Sequence, residues 1–181
     1  MSDFGIIGIG RIGTSMARNM SSKGIIVSLF DKSHNSLDNL KNDYPELESS
    51  LVFNDINKFI SSISKPRKVL VLVPSGPALD EVISLLIQYL DSNDILIDGG
   101  NTNPNVSFEN HQTIKSKNLL YLGMGVSGGV KGVLEGPSIM IGGDTNAFDQ
   151  VKNIFTQITS KTINGSKSFE FFGDSNQGHF V

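Results

Sequence analysis

An apolar run, Phe4 to Ile7, opens directly into Gly8-Ile9-Gly10-Arg11-Ile12-Gly13, and a second apolar run, Ile25 to Phe30, closes on Asp31. Between them, Thr14 to Lys23 carries Met16, Ala17 and Met20 at helical spacing. Strand, glycine turn, helix and strand in this order predict a βαβ unit built around a pyrophosphate-binding turn. The glycines have separate jobs. Gly8 allows the tight strand-to-helix turn, Gly10 lets backbone approach a pyrophosphate, and Gly13 lets the helix pack closely on the strand. A helix opening near Arg11 would aim free N–H groups and its positive dipole end at the phosphates. Asp31, eighteen residues beyond Gly13, is spaced to accept hydrogen bonds from the ribose hydroxyls of an adenosine. The alternative is a βαβ unit that binds nothing, with Asp31 as a turn residue or helix cap.

The rest of the chain extends the pattern. Apolar runs predict strands near 4–9, 26–31, 51–53, 68–73, 94–98, 119–123 and 138–142. Amphipathic stretches predict helices near 11–23, 34–43, 55–63, 77–91, 105–116 and 146–158. Pro45 and Pro66 separate elements, and Pro104 suits the first turn of a helix. Such alternation predicts an α/β fold of Rossmann type, a doubly wound and mainly parallel sheet with helices on both faces, in a single domain. In such sheets ligands bind outside the carboxyl ends of the strands, so the loops 8–13, 31–34, 74–77 and 98–104 should share one edge. By that shared location Pro74 to Pro77 is a candidate site loop; as a bare strand-to-helix turn it would read the same.

Size and charge narrow the partners. At 181 residues the chain holds one well-buried domain. Its 15 basic and 18 acidic residues give a net charge of −3, with no Lys/Arg run to meet nucleic acid or an anionic membrane, so small molecules are the expected partners. The absence of cysteine excludes disulfides and thiolate metal sites, and His34, His111 and His179 are too scattered for a sequence-local metal site. No apolar run reaches the roughly eighteen residues that span a bilayer. The start, Met-Ser-Asp-Phe, has no charged and apolar leader pattern, so a cytoplasmic location is expected.

Two glycine-rich loops follow the later strands, Asp98-Gly-Gly-Asn101 and Gly123-Met-Gly-Val-Ser127-Gly-Gly129. Glycine clusters are expected where backbone turns at positive φ or exposes amides to a ligand. Ser127 beside two glycines offers a hydroxyl and N–H donors to a carboxylate, phosphate or sugar hydroxyl, and Asn101 offers donors and acceptors. Tight loops without a ligand are the alternative. Ser127 lacks the GxSxG context of a nucleophilic serine.

On the N-terminal fingerprint, Ile97-Asp-Gly-Gly-Asn101, Gly125-Val-Ser-Gly-Gly129, Gly136-Pro-Ser138 with Gly142-Gly143, and Gly178-His-Phe-Val181, the chain resembles the decarboxylating 6-phosphogluconate dehydrogenases over essentially its whole length. The resemblance implies a dinucleotide site at Gly8, Ile9, Gly10, Arg11, Ile12 and Gly13, with Asp31, Lys32 and Ser33 at the adenosine ribose. It implies Val73, Pro74 and Ser75 along the cofactor, Asn101 between nicotinamide and substrate, and Ser127, Gly128 and Gly129 on the substrate. The reaction implied is hydride transfer from 6-phosphogluconate to NAD(P), then metal-free decarboxylation to ribulose 5-phosphate in the pentose phosphate pathway. NADP-dependent members carry an Asn-Arg-Thr-like trio where this chain has Asp31-Lys32-Ser33. Asp31 favours NAD because its carboxylate repels a 2′-phosphate, whereas Lys32 would attract one.

In the family the catalytic lysine follows the GHFV segment, here ending at Val181, so residues 1–175 are expected to form the NAD(P)-binding domain and 176–181 the start of an interdomain helix. The family's C-terminal helical domain lies beyond the 181 residues, and no catalytic residue is assigned. Lys131 is the nearest lysine to the substrate loop and is expected to be solvated; His179 is expected near the site without an assigned role. A stand-alone NAD(P)-binding module and a β-hydroxyacid dehydrogenase relative are the alternatives. Self-association is expected through Phe169-Glu-Phe-Phe172 and Phe180.

Overall fold

A computed structural model describes residues 1–33, 37–38, 40–161, 164–173 and 176–180. Its strands are β1 (Phe4–Ile7), β2 (Val27–Phe30), β3 (Leu51–Phe53), β4 (Lys68–Val71), β5 (Ile95–Asp98), β6 (Leu120–Ser127), β7 (Ser138–Gly143) and β8 (Phe169–Phe171). The helices are α1 (Arg11–Ser22), α2 (Leu40–Asp43), α3 (Ile56–Ser61), α4 (Pro77–Leu86), α5 (Pro104–Lys115), α6 (Gly129–Glu135) and α7 (Thr145–Ile158), with 3-10 turns at Pro45–Leu47 and Asn176–His179. All eight strands form one sheet in the order β3-β2-β1-β4-β5-β6-β7-β8. The first six run parallel, and Ile6 pairs with Leu29 on one side and Leu70 on the other. The order reverses between β1 and β4, which opens a crevice at the carboxyl edge.

Period-two alternation splits the core into two layers. Phe4, Ile6, Leu29, Leu70, Ile95 and Ile97 face α1 and α7, meeting Met16, Met20, Val151 and Phe155. Ile7, Phe30, Val69, Val71 and Leu96 face α3, α4 and α5, meeting Phe59, Leu79, Ile83 and Ile114. Each such side chain, fully buried, stabilises by about 1.5–3 kcal/mol, so helices are held on both faces by packing. Pro104 stands at the first position of α5 as expected, where its missing N–H has no intrahelical partner to lose, and the Asn103 side chain accepts from Asn105 N–H.

The second half departs from the expected pattern in three ways. β7 runs antiparallel to β6, with Ser127 opposite Ser138, because only ten residues join them and a parallel return needs a longer crossover. That link holds α6, unexpected because Gly128, Gly129, Gly132 and Gly136 depress helix propensity; burial of Val133 against the core overrides it. β8 is three residues long, too short for a periodic pattern to register, and pairs parallel to β7. The helix expected at 34–43 lies partly outside the described residues, as does His34; its described part is α2 with Leu37. β4 stops at Val71 and α4 at Leu86, short of their expected ends. The phenylalanines expected to be exposed are divided: Phe169 and Phe171 pack on Phe148, whereas Phe172 and Phe180 lie open.

Candidate dinucleotide site

The turn between β1 and α1 is shaped by close approaches. Gly8 has φ +92°, and a Cβ there would sit 2.8 Å from the Leu72 carbonyl oxygen. At Gly13 a Cβ would lie 1.9 Å from the Gly8 carbonyl oxygen, so only glycine lets α1 start this near the strand. Around Gly10 the same construction meets nothing within 4 Å, so the turn presents bare backbone to open space. Among the described residues no side chain caps α1 at Gly10, and no acidic residue stands in its first turn, so the first N–H groups are available to an anion.

Three clefts surround this turn. A cleft of about 450 Å³ runs past Ile9, Gly10, Arg11 and Thr14. A second, about 160 Å³, lies between the ends of β1, β2 and α4, walled by Gly8, Asp31, Lys32, Val73, Ala78 and Glu81. The third, about 400 Å³, is lined by Ile12, Val73, Pro74, Gly100, Asn101 and Gly129. The expected residues are thus brought to one edge, with Val73 shared between the second and third clefts. Ser33 and Ser75 stand exposed in their loops, and Ser127 and Gly128 continue the chain into Gly129, where α6 begins. Lys131 is exposed and pairs loosely with Glu135 at 3.9 Å.

Asp31 carries a role the spacing did not reveal. Its Oδ2 accepts from Ile9 N–H and its Oδ1 from Ser33 N–H, both at 2.8 Å, so it braces the glycine turn against the end of β2. Each oxygen keeps a further lone pair for a ribose hydroxyl. Lys32 Nζ lies 2.5 Å from Glu81 Oε1.

Behind the third cleft runs a buried polar chain that no local motif announces. Asp98 Oδ1 accepts from Gly100 N–H at 3.0 Å and Oδ2 accepts from the Tyr121 hydroxyl at 3.1 Å. Tyr121 and Ser107 share a hydrogen bond of 2.8 Å, and Ser107 Oγ lies 3.0 Å from His179 Nδ1. Burial, reinforced by Asp98, pushes the Tyr121 hydroxyl well above its ordinary pKa; burial also lowers that of His179, against the pull of Asp98. Beside them His111 stacks on Tyr121 with ring centres 5.3 Å apart and contacts Asp144 at 3.3 Å. The chain of contacts ties the loop that carries Asn101 to the segment 176–180.

A glycine turn under an uncapped helix, at the point where a parallel sheet changes direction, defines a Rossmann-type dinucleotide-binding domain. The family model for the NAD binding domain of 6-phosphogluconate dehydrogenase matches residues 3–166, and the chain belongs to that family. It is 36% identical over 177 residues to the decarboxylating 6-phosphogluconate dehydrogenase of Staphylococcus epidermidis, covering 98% of this chain and 38% of that protein. The Chlamydia muridarum enzyme of the same name is 36% identical over 180 residues, covering 99% and 37%. The chain therefore spans well under half the length of these curated relatives. The 6-phosphogluconate dehydrogenase of Plasmodium falciparum, solved in its apo form, with its cofactor NADP+ and with its substrate 6-phosphogluconate, superposes with a TM-score of 0.93 at 32% identity, covering 98% of this chain and 38% of that one. A 3-hydroxyisobutyrate dehydrogenase from Mycobacterium tuberculosis shares the fold, with a TM-score of 0.82 at 19% identity, over 99% of this chain and 57% of that one. The resemblance read from the loop motifs is borne out, and no helix among the described residues is long and apolar enough to cross a membrane.

Proposed function

We propose that this chain supplies the cofactor half of a 6-phosphogluconate dehydrogenase site, holding NAD in preference to NADP along the carboxyl edge of the sheet. The observation that carries the reading is the β1–α1 turn: Gly8 and Gly13 admit no side chain, and Gly10 faces open space before an uncapped helix. The N–H groups of the first turn of α1 would hold the pyrophosphate. Asp31 would accept from the adenosine ribose, and its charge disfavours a 2′-phosphate. Bound there, the nicotinamide supplies a hydride acceptor for the substrate hydroxyl carbon.

Asn101, at the mouth of the third cleft, would orient substrate beside that ring, with Ser127, Gly128 and Gly129 offering a hydroxyl and backbone amides to the sugar acid. General acid–base catalysis needs a titratable group within hydrogen-bond reach. The described residues lining the third cleft include none, so the contribution assigned to them is binding and orientation. Small-molecule chemistry agrees with the net charge of −3 and the lack of any Lys/Arg run.

Calorimetric titration with NAD and NADP tests the reading. Gly10→Val, which fills only open space, should leave the melting temperature within about 3 °C of wild type, since surface changes rarely exceed 0.5 kcal/mol, and abolish cofactor binding. Equal affinity of wild type and variant, or no binding by wild type at millimolar cofactor, would overturn it.

A further inference from the structure

The adenosine end of the cleft carries a second carboxylate, contributed by a different element from the one that holds Asp31. Glu81, on α4, stands with Ala78 on the wall facing Asp31 and Lys32, and its Oε1 lies 2.5 Å from Lys32 Nζ. Lys32 is the one cation among the described residues of that wall, so the rim carries two negative charges against one positive. Asp31 is held by two backbone N–H groups, so swinging away from an incoming phosphate would break both bonds. A 2′-phosphate, with a charge near −2, would meet a held carboxylate and a lysine already engaged; a free 2′-hydroxyl would meet acceptors.

We propose that Glu81 is a specificity-determining residue of this site, occupying the Lys32 ammonium and so selecting a dinucleotide whose adenosine ribose has a free 2′-hydroxyl. This rests on the cofactor reading above. Both side chains are more than half exposed, at 54% for Lys32 and 66% for Glu81, so neither shapes the core and substitution leaves the fold intact. The exposure also sets the scale: an exposed ion pair is weak and salt-screened, so the selection is a matter of several-fold rather than of orders of magnitude.

Calorimetric titration of the 181-residue chain with NAD and NADP, at low and high salt, tests the assignment. Glu81→Gln should raise the NADP-to-NAD affinity ratio about three- to tenfold at low salt, with the gain shrinking as salt screens it. Adding Lys32→Ala to Glu81→Gln should remove most of the gain, because the freed ammonium is its source. An unchanged ratio in Glu81→Gln, or a gain that survives Lys32→Ala, would overturn the role of Glu81 while leaving the cofactor site standing. Failure of wild type to bind either dinucleotide would overturn both.

Discussion

Asn19 is the joint between the two halves of the binding edge, and its replacement gives the sharpest test of how that edge is held. The side chain is 1% exposed on α1, and its Nδ2 donates to the Val133 carbonyl of α6 and the Ile158 carbonyl at the end of α7, both at 2.9 Å. Its Oδ1 has no partner among the described residues, so the amide acts here as a donor. Asn19→Ala leaves two buried carbonyls short of a donor. At about 1 kcal/mol net per hydrogen bond, and more where the group left behind stays dry, the loss is about 2–4 kcal/mol. Asn19→Asp keeps the shape but turns an acceptor toward two acceptors, and should cost about 3–5 kcal/mol at neutral pH. Because burial opposes the introduced charge, part of that loss should return as the solution is acidified and the carboxyl regains an O–H donor. Urea unfolding followed by circular dichroism, with unchanged m-value, measures both. The reasoning fails if Asn19→Asp costs less than about 1 kcal/mol, or less than Asn19→Ala, since either result would mean that the two carbonyls do not depend on this donor.

Three further outcomes are expected. Gly13→Ala, with its Cβ 1.9 Å from a carbonyl oxygen, should destabilise by more than about 3 kcal/mol or prevent folding; a melting temperature equal to wild type would contradict the close-packed turn. Asp94 accepts from Arg67 N–H, the Arg67 guanidinium and Asp91 N–H; Asp94→Ala leaves that nearly buried guanidinium to Asp91 and the Ile60 carbonyl and takes the acceptor from two N–H groups, so it should cost about 2–4 kcal/mol in chemical denaturation. At Asp144 burial opposes ionisation, but His111 and the Tyr121 N–H outweigh it and hold the carboxyl below its ordinary pKa. Its stabilisation is therefore present above about pH 3.9 and lost as pH falls through the lower folded value. The stability gap between wild type and Asp144→Asn should close in that acid window, and a gap constant from pH 6 to about pH 2.5 would argue against the contact.

The binding turn was legible because its requirements are local. A strand, three spaced glycines, a helix and an acid at the next strand end all lie within thirty-one residues, and each glycine answers a backbone constraint that spacing alone expresses. The buried chain was not legible, since Asp98, Ser107, Tyr121 and His179 come from four different elements and only the assembled sheet brings them into contact. The same holds for Glu81, forty-nine residues from the lysine it meets. Asp31 falls between the two cases: its position was readable, but its grip on Ile9 N–H depends on the register of β1 against β2. α6 was hidden for the opposite reason, its glycines advertising a loop where burial of Val133 makes a helix.

The sheet ends in two short edges. β3 and β8 are three residues each, and β8 turns Glu170 outward between phenylalanines that pack on Phe148. Strand addition needs a longer run of open backbone, and segments of six or seven residues are the usual seeds of cross-β growth. This molecule therefore resists lengthening its sheet sideways into ribbons, and a second copy would have to dock on helices and loops, where Met1, Ile26, Phe108, Val130, Phe172 and Phe180 are the large apolar side chains exposed among the described residues.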